Sequence, residues 1–232
     1  MSEFSLDDLR QCGEKSVKVN FMGEYNPEHF WGEYGKIYRK CFRKDAKTTA
    51  KTAALLNLEA LIGRIAAIQE TVKIESVLEV GCGFGRCLPF VLENCSLKEI
   101  YGIEFSPTMV EDSKSFLEEY GRVKDIKVIE GNAKNLPFPD KSFDLVYTHV
   151  CLTHIPPKDI PQVTKEISRV AKKIIVHIER FAYEYEHPNP HRWSHHLPPL
   201  YLDMGWEIVD YDTVNKEHFT KGLTLIKRGE VS

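Results

Sequence analysis

Short apolar runs alternate with longer amphipathic stretches along the chain from residue 75 onward. The apolar runs are rich in Val, Ile, Leu and Phe and predict seven strands, at 75–80, 99–104, 126–130, 143–148, 173–178, 206–211 and 222–227. Helices are predicted between the first five strands, at about 84–94, 107–120 and 158–171. Because strands that alternate with helices form βαβ units, the pattern predicts an α/β fold whose mostly parallel sheet has helices on both faces.

Two local signals refine this prediction. Ser106 and Pro107 suit the start of the second helix, because Ser accepts a backbone N–H as the N-cap and Pro fits the first helical position. The last two strands are joined by a short polar link, Asp212–Lys221, which cannot contain a crossover helix. We therefore expect these two strands to pair antiparallel, so that a doubly wound, seven-stranded sheet ends in a C-terminal antiparallel hairpin.

Two further helices are predicted before the first strand. In the aromatic stretch 21–44, the spacing i, i+3, i+7, i+11 puts four rings on one helical face: Trp31, Tyr34, Tyr38 and Phe42. A second helix, about 46–70, has apolar residues three or four apart and is expected to pack on the core. The aromatic stripe either docks the first helix or covers a ligand pocket. We expect a loose arm at 1–20, a helical cap at 21–70 and one ligand-binding domain at 71–232.

Composition and charge exclude several classes of protein. The 232 residues carry 31 basic and 34 acidic side chains, and this net charge of −3 argues against binding to a nucleic-acid backbone. No apolar run reaches the roughly 18–20 residues of a membrane span. Residues 1–20 are polar and acidic where a signal peptide would be basic and then apolar. The six cysteines form no CxxC pair, as expected for reduced thiols, and we predict a cytoplasmic location.

A glycine-rich turn follows the first predicted strand and precedes a helix, at Gly81–Gly85. Such turns let a ligand approach the backbone closely, and dinucleotide sites use a similar one. However, Arg86 stands where the dinucleotide pattern GxGxxG requires a small residue. Glu79 precedes the turn and is placed to receive a cationic group. Glu104 ends the second strand about twenty residues past the glycines, where an acidic residue accepts hydrogen bonds from ribose hydroxyls, and Phe105 beside it can lie against a purine.

Four stretches together carry a resemblance to a known family: Val77–Gly85, Tyr101–Met109, Glu130–Phe138 and Asp140–Ile155. Their combination resembles the class I S-adenosylmethionine-dependent methyltransferases, and in particular the small-molecule subgroup called the type 11 methyltransferase domain. The resemblance covers roughly residues 70–180. It implies a Rossmann-like fold, an enzyme that transfers a methyl group, S-adenosyl-L-methionine as the cofactor and S-adenosyl-L-homocysteine as its product.

The resemblance also implies cofactor contacts on this chain. The implied positions are Glu79, Gly81, Cys82, Gly83, Glu104, Phe105, Met109, Asn132, Ala133 and Thr148. Glu79 would hold the amino group, Glu104 the ribose hydroxyls, and Thr148 would lie under the sulfonium end. The family commonly has Asp where this chain has Asn132, but a carboxamide oxygen still accepts a hydrogen bond from the adenine amino group.

Methyl transfer is an in-line displacement in which a base removes a proton when the attacking atom carries one. His149 and His154 follow the fourth strand and are the two candidate bases. For His154 the alternative is a structural role in capping or packing the following turn.

Aromatic residues and histidines near the predicted pocket are candidates for binding the acceptor. They are Tyr25, Trp31 and Tyr34 before the first strand, and Glu179, His191, Trp193 and His195 after the fifth. The later segment is either a lid over the pocket or a surface loop. His187, His191 and His195 have helical spacing, but Pro188 and Pro190 oppose a helix and no cysteine lies nearby, so no metal site is predicted.

The sequence after the fourth strand, Thr148–Cys151, lacks the Asn/Asp-Pro-Pro-aromatic run used on exocyclic base amines. We therefore predict a methyltransferase that acts on O, N or C of a small-molecule acceptor. Two alternatives stay open, namely a peptide or protein acceptor and a non-catalytic, cofactor-binding partner subunit. A nucleotide-dependent dehydrogenase is disfavoured by Arg86 and by the terminal hairpin. The acceptor, the methylated atom and the oligomeric state, including a homo-oligomer, are left open.

Overall fold

The computed structural model describes residues 25–27, 30–32, 57–122, 124–180, 192–215, 220–227 and 229. Its strands are β1 (Val77–Val80), β2 (Ile100–Glu104), β3 (Ile126–Glu130), β4 (Phe143–His149), β5 (Ala171–Arg180), β6 (Trp206–Asn215) and β7 (Thr220–Lys227). Its helices are α1 (Glu59–Gln69), α2 (Leu88–Asn94), α3 (Pro107–Tyr120), α4 (Ile160–Val170) and α5 (Pro198–Leu202), with a 3₁₀ turn at Leu152–His154. Residues 30–32 are also helical.

The seven strands form one sheet in the order β3-β2-β1-β4-β5-β7-β6. The first five strands are parallel, and β7 pairs antiparallel with both β5 and β6. The predicted α/β sheet with a C-terminal antiparallel hairpin is therefore confirmed. The hairpin strands run longer than predicted, to Asn215 and from Thr220. In the sheet, β7 lies next to β5, and β6 forms one edge.

Side chains alternate between two cores, one on each face of the sheet. On the first face, Tyr147 of β4 and Val176 of β5 pack with apolar residues of α1, α2 and α3. On the second face, Val146 and Ile175 pack with residues of α4 and α5. All positions of β1 and β4 are buried, as expected for central parallel strands covered on both sides. Because successive side chains point to opposite faces, this alternation also decides which polar residues meet at the strand ends.

The predicted start of α3 is confirmed. Ser106 accepts the Met109 backbone N–H through Oγ at 3.4 Å, and Pro107 is the first helical residue. In contrast, α2 begins at Leu88 rather than near 84, because the glycine turn continues: the Gly85 N–H bonds to the Cys82 carbonyl and the Leu88 N–H to the Gly85 carbonyl. The short helix α5 was not predicted.

The described part of the N-terminal region packs on the first face and over the strand ends. Leu61 and Ile65 of α1 are fully buried in the first core, and Phe30 is also buried. The other rings of the predicted stripe, at 34, 38 and 42, and the arm at 1–20 lie outside the described residues, so the division into arm and cap stays a prediction. Among the described helices, none combines the length and the apolar character that crossing a membrane requires.

Candidate active site

A cavity of about 760 Å³ lies at the carboxyl ends of β1, β2 and β4. It is bordered by the glycine turn, by the loops after β2, β3 and β4, and by the N-terminal residues Tyr25 and Trp31. From β1 the chain continues to β2 and β3 on one side and then crosses to β4 on the other side of β1, which makes this edge the switch point of the sheet. Open α/β sheets bind their ligands at this position.

The glycine turn forms the floor of the cavity. Gly81 has φ +75°, and a Cβ at this position would overlap Sγ of Cys151. Its backbone N–H and that of Cys82 both donate to the Ile103 carbonyl of β2, at 2.8 and 3.1 Å. Glycine is therefore required at 81 by the turn and by the close approach of the loop after β4. Gly81, Cys82 and Gly83 all line the cavity.

Glu104, the last residue of β2, presents its carboxylate to the same cavity. Oε2 accepts the Gly83 N–H and Oε1 accepts the Ser106 N–H, each at 2.8 Å. Burial raises the pKa of this carboxyl group, and the backbone donors oppose the shift. Each carboxylate oxygen has a further lone pair, so the fixed pair of oxygens can accept two adjacent hydroxyl groups of a ligand.

Glu79 lies on the first face of β1 and lines the cavity beside the turn. The Tyr147 hydroxyl donates to its Oε2 at 2.9 Å. Burial raises the pKa of Glu79 to about 8, while the Tyr147 hydrogen bond and the positive charge of Arg86 act in the opposite direction. A buried carboxyl group of this kind becomes an anion when a cationic ligand group binds next to it.

The predicted adenine-side residues also border the cavity: Phe105, Met109, Asn132 and Ala133. Oδ1 of Asn132 accepts the Lys134 backbone N–H at 2.9 Å, which fixes the side chain. The loop itself is tied to β2, because the Gly131 N–H donates to the Glu104 carbonyl at 2.9 Å. The four residues are thus brought to one end of the cavity, next to Glu104.

Both candidate bases line the cavity. His149, only 5% exposed, lies on the same strand face as Tyr147, and its Nδ1 is 3.8 Å from Sγ of Cys87. His154 ends the 3₁₀ turn, and its ring packs edge-on against Trp31 with the ring centroids 5.0 Å apart. The Tyr25 hydroxyl donates to the His154 carbonyl at 3.3 Å. The end of β4 and the 3₁₀ turn that follows it therefore bring the imidazoles of His149 and His154 to one cavity.

Thr148 and Glu179 lie elsewhere, in a buried network on the second face. Thr148 Oγ1 donates to Glu179 Oε1 at 2.7 Å. The backbone N–H groups of Cys151 and Thr153 donate to the same carboxylate at 3.1 and 3.2 Å. Neither Thr148 nor Glu179 lines the cavity. The structure does not bring these two side chains to the cavity, because both point to the face opposite that of His149.

His177 extends this network. Its Nδ1 lies 2.8 Å from Thr148 Oγ1, and its Nε2 lies 2.8 Å from the Tyr201 hydroxyl. Burial lowers the pKa of His177 to about 3, so the ring is neutral. Since the Thr148 hydroxyl proton goes to Glu179, the ring donates from Nδ1 to Thr148 and accepts from Tyr201 at Nε2. The network holds the ends of β4 and β5 together and fixes the turn that carries His154.

The predicted acceptor-binding residues divide into three groups. Tyr25 and Trp31 line the cavity. Trp193 and His195 do not line the cavity. The Trp193 ring packs edge-on against Tyr25 with the ring centroids 5.2 Å apart, and Nε2 of His195 lies 3.0 Å from the Leu152 carbonyl oxygen. Tyr34 and His191 lie outside the described residues.

Several cavity residues were not predicted as site residues. Arg86 had served only to exclude a dinucleotide pattern, and Cys151 and Arg192 were not assigned a role, yet all three line the cavity. Arg86 carries a sequence signal, because it directly follows the last glycine of the turn. Arg192 belongs to the segment that was predicted to be a lid or a surface loop, but its place in the cavity depends on contacts with a distant turn. Within the described residues, no group of three or more His, Cys, Asp or Glu side chains is arranged to hold a metal ion.

Comparison with known proteins is consistent with this geometry. Residues 77–173 match the family model of a methyltransferase domain. The chain is 31% identical over 150 residues to sterol 24-C-methyltransferase of Pneumocystis carinii, covering 64% of this chain and 38% of that protein. It is 31% identical over 150 residues to demethylmenaquinone methyltransferase of Bacillus licheniformis, covering 61% and 57%. The chain thus spans less than two thirds of the length of these relatives.

The fold is shared with magnesium protoporphyrin IX methyltransferase from Synechocystis, solved with bound S-adenosylhomocysteine. The two structures align with a TM-score of 0.69 over 86% of this chain and 97% of that chain, at 12% identity. At this level of identity the likeness concerns the fold alone.

Proposed function

This chain carries a domain of the class I S-adenosylmethionine-dependent methyltransferases, and from this premise we propose that it transfers a methyl group to a small-molecule acceptor. The observation that carries the proposal is the fixed carboxylate of Glu104 at the end of β2. Its two oxygens are held by the Gly83 and Ser106 N–H groups and face the cavity, as two adjacent ribose hydroxyls require.

The remaining cavity groups fit the other parts of S-adenosyl-L-methionine. Glu79 is placed beside the glycine turn to receive the α-ammonium group, and Arg86 next to it is placed to receive the carboxylate. Phe105 and Met109 supply apolar walls for the adenine, and the Asn132 amide supplies polar contacts at its edge. The negative charge of Glu79 and the positive charge of Arg86 would thus complement the ammonium and carboxylate groups of one zwitterionic ligand.

The chain's own residues would align the acceptor and remove its proton. The cofactor supplies a methyl group on a positively charged sulfur, and the bond to the acceptor forms as the carbon–sulfur bond breaks with its electrons staying on sulfur. His149 and His154 are the groups placed to take a proton from the acceptor atom. Tyr25 and Trp31 line the cavity and contact His154, where they would exclude water from the reacting atoms.

A small-molecule acceptor is supported by the shape and lining of the site. The aromatic side chains of Tyr25 and Trp31 line a cavity of about 760 Å³, which favours a compact ligand. The curated relatives are named for a sterol and for demethylmenaquinone, and the structural neighbour for a porphyrin, all small molecules. We place the reaction in the cytoplasm, since the four described cysteines are unpaired.

The proposal is tested by calorimetric titration with S-adenosyl-L-methionine, S-adenosyl-L-homocysteine and NADH. We expect the first two to bind, and Glu104→Gln to weaken both by about tenfold or more, because a carboxamide cannot accept from two backbone N–H groups and two hydroxyls at once.

The matched control is Glu130→Gln. Glu130 is the last residue of the neighbouring strand, paired in register with Glu104, but it is exposed and does not line the cavity. Equal losses in both variants, or binding of NADH alone, would contradict the assignment. A chain that binds the cofactor but produces no methylated product from any acceptor would be a non-catalytic partner subunit.

A further inference from the structure

Arg192 is brought to the acceptor end of the cavity by its neighbour in the chain. The Trp193 N–H donates to the Thr153 carbonyl at 2.8 Å, and the Thr153 hydroxyl donates back to the Trp193 carbonyl at 3.1 Å. These two bonds fasten the segment that precedes α5 to the turn that carries His154. Arg192, the residue before Trp193, thereby lines the same cavity as His154.

The guanidinium of Arg192 has no hydrogen-bond or ion-pair partner among the described residues. Its Nε is inaccessible to solvent and has no hydrogen-bond acceptor, and no carboxylate among the described residues forms an ion pair with the group. The acidic residues of the cavity are engaged elsewhere: Glu104 by backbone N–H groups, Glu79 by Tyr147, and Asp159 by Lys134 at 3.5 Å. A buried donor without an acceptor is destabilising, and more so when the group is charged. An anionic ligand bound in the cavity would balance the positive charge of this group.

The surroundings of Arg192 indicate the rest of the ligand. Trp31 stands edge-on to His154, and Tyr25 stands edge-on to Trp193, so the cationic group lies beside an aromatic wall. The Tyr25 phenol is neutral at pH 7, and burial raises its pKa further, to about 12, so it offers no negative charge to Arg192. A planar guanidinium binds a carboxylate through two parallel hydrogen bonds, and one guanidinium balances one negative charge.

We propose that Arg192 binds a carboxylate of the methyl acceptor, and that the acceptor is a small carboxylic acid whose flat, unsaturated body lies along Tyr25 and Trp31. This inference rests on the methyltransferase function proposed above and names its substrate class. A carboxylate held by a guanidinium is a weakened nucleophile, because its charge is already stabilised. The carboxylate is therefore the anchor, and the methyl group goes to another atom of the acceptor.

The test is calorimetry on the full chain saturated with S-adenosyl-L-homocysteine. The probes are 4-hydroxybenzoate, 4-hydroxycinnamate and indole-3-acetate, each compared with its uncharged primary amide, together with 4-hydroxyphenyl phosphate. We expect at least one acid to bind about tenfold or more tightly than its amide. Arg192→Gln should abolish that preference, and Arg192→Lys should restore only part of it, because lysine retains the charge but lacks the planar fork.

The control variant is Arg122→Gln, on a partly exposed arginine paired with Glu93 and Asp125 at the surface. It should leave the preference for the acid unchanged. The proposal is overturned if acids and amides bind equally, if the preference survives Arg192→Gln, if the phosphate ester binds most tightly, or if no acid binds while S-adenosyl-L-homocysteine binds normally. Failure of S-adenosyl-L-homocysteine itself to bind would instead contradict the proposed function.

Discussion

Glu104 and Glu179 are two buried carboxylates at the carboxyl edge of one sheet, with exposures of 7% and 8%. Glu104 ends β2 and faces the cavity. Glu179 lies one residue before the end of β5 and faces a closed network on the second side of the sheet. Position along a strand and degree of burial are thus nearly the same in the two residues, while their surroundings differ completely.

The donors around each carboxylate explain the difference. Glu104 is held by N–H groups of two loops that border the cavity, so part of its accepting capacity is directed at a ligand. Glu179 accepts from the Thr148 hydroxyl and from backbone N–H groups of the segment that leads to His154. Its accepting capacity is used within the protein. We propose that Glu104 binds a ligand and that Glu179 positions the turn after β4, whereas the sequence analysis expected both to bind ligands, Glu104 the cofactor and Glu179 the acceptor.

The largest expected effect concerns the imidazoles of His149 and His154, which line the same cavity as Glu104. If His149 or His154 is the general base, its replacement by alanine should lower kcat by about 10²–10⁴-fold, because a positioned base contributes that much. Cofactor affinity should stay within a few-fold of the original value. Turnover by mass spectrometry and titration with S-adenosyl-L-homocysteine measure the two quantities.

His196→Ala is the control for these variants, since His196 is exposed and does not line the cavity. Unchanged turnover in both His149→Ala and His154→Ala would exclude a histidine base.

A measurement of stability tests the structural role of Glu179 against that of Glu104. Glu179→Ala leaves the Thr148 hydroxyl and the Cys151 and Thr153 N–H groups without their acceptor in a buried region, and each such group costs about 1–3 kcal/mol. We expect a loss of about 3 kcal/mol or more in the free energy of unfolding by urea. Glu104→Ala should cost only about 1 kcal/mol, because water in the cavity can accept from the freed N–H groups. Equal losses would mean that the two carboxylates have the same role.

The smallest expected effect is a proton released on cofactor binding. At pH 7 a carboxyl group with a pKa of about 8 is mostly protonated, and an ammonium group bound beside Glu79 favours its ionised form. Binding of S-adenosyl-L-homocysteine should therefore release up to about one proton at pH 7, against a small uptake by the ligand's own amino group. The release is measured by calorimetry in phosphate and Tris buffers. Net proton uptake, or the same release from Glu79→Gln, would contradict the assignment.

The positions of the strands along the chain followed from the sequence, because each strand is a short apolar run separated from the next by turn or helix signals. The Glu104 position followed as well, since the glycine turn and the end of β2 are close in the chain. The late start of α2 was missed, because the hydrogen bonds that prolong the glycine turn are invisible in an apolar pattern.

The face of the sheet to which each side chain points was the feature of the site that the sequence predicted least well. Thr148 and His149 are consecutive residues of one strand, so their side chains cannot both face the first side. Assigning Thr148 to the second side also required knowing that β4 pairs with β5, which places it opposite His177. Arg192 lies in the segment predicted to be a lid or a surface loop, but it could not be singled out, because its place depends on hydrogen bonds between Trp193 and Thr153, forty residues apart.

Titration of Glu104→Gln and Glu179→Gln with S-adenosyl-L-homocysteine, side by side with the unchanged chain, tests the division between a binding and a positioning carboxylate most directly. We predict that Glu104→Gln loses about tenfold or more in affinity, while Glu179→Gln binds within about threefold of the unchanged chain. Retained affinity in Glu104→Gln together with lost affinity in a folded Glu179→Gln would contradict it.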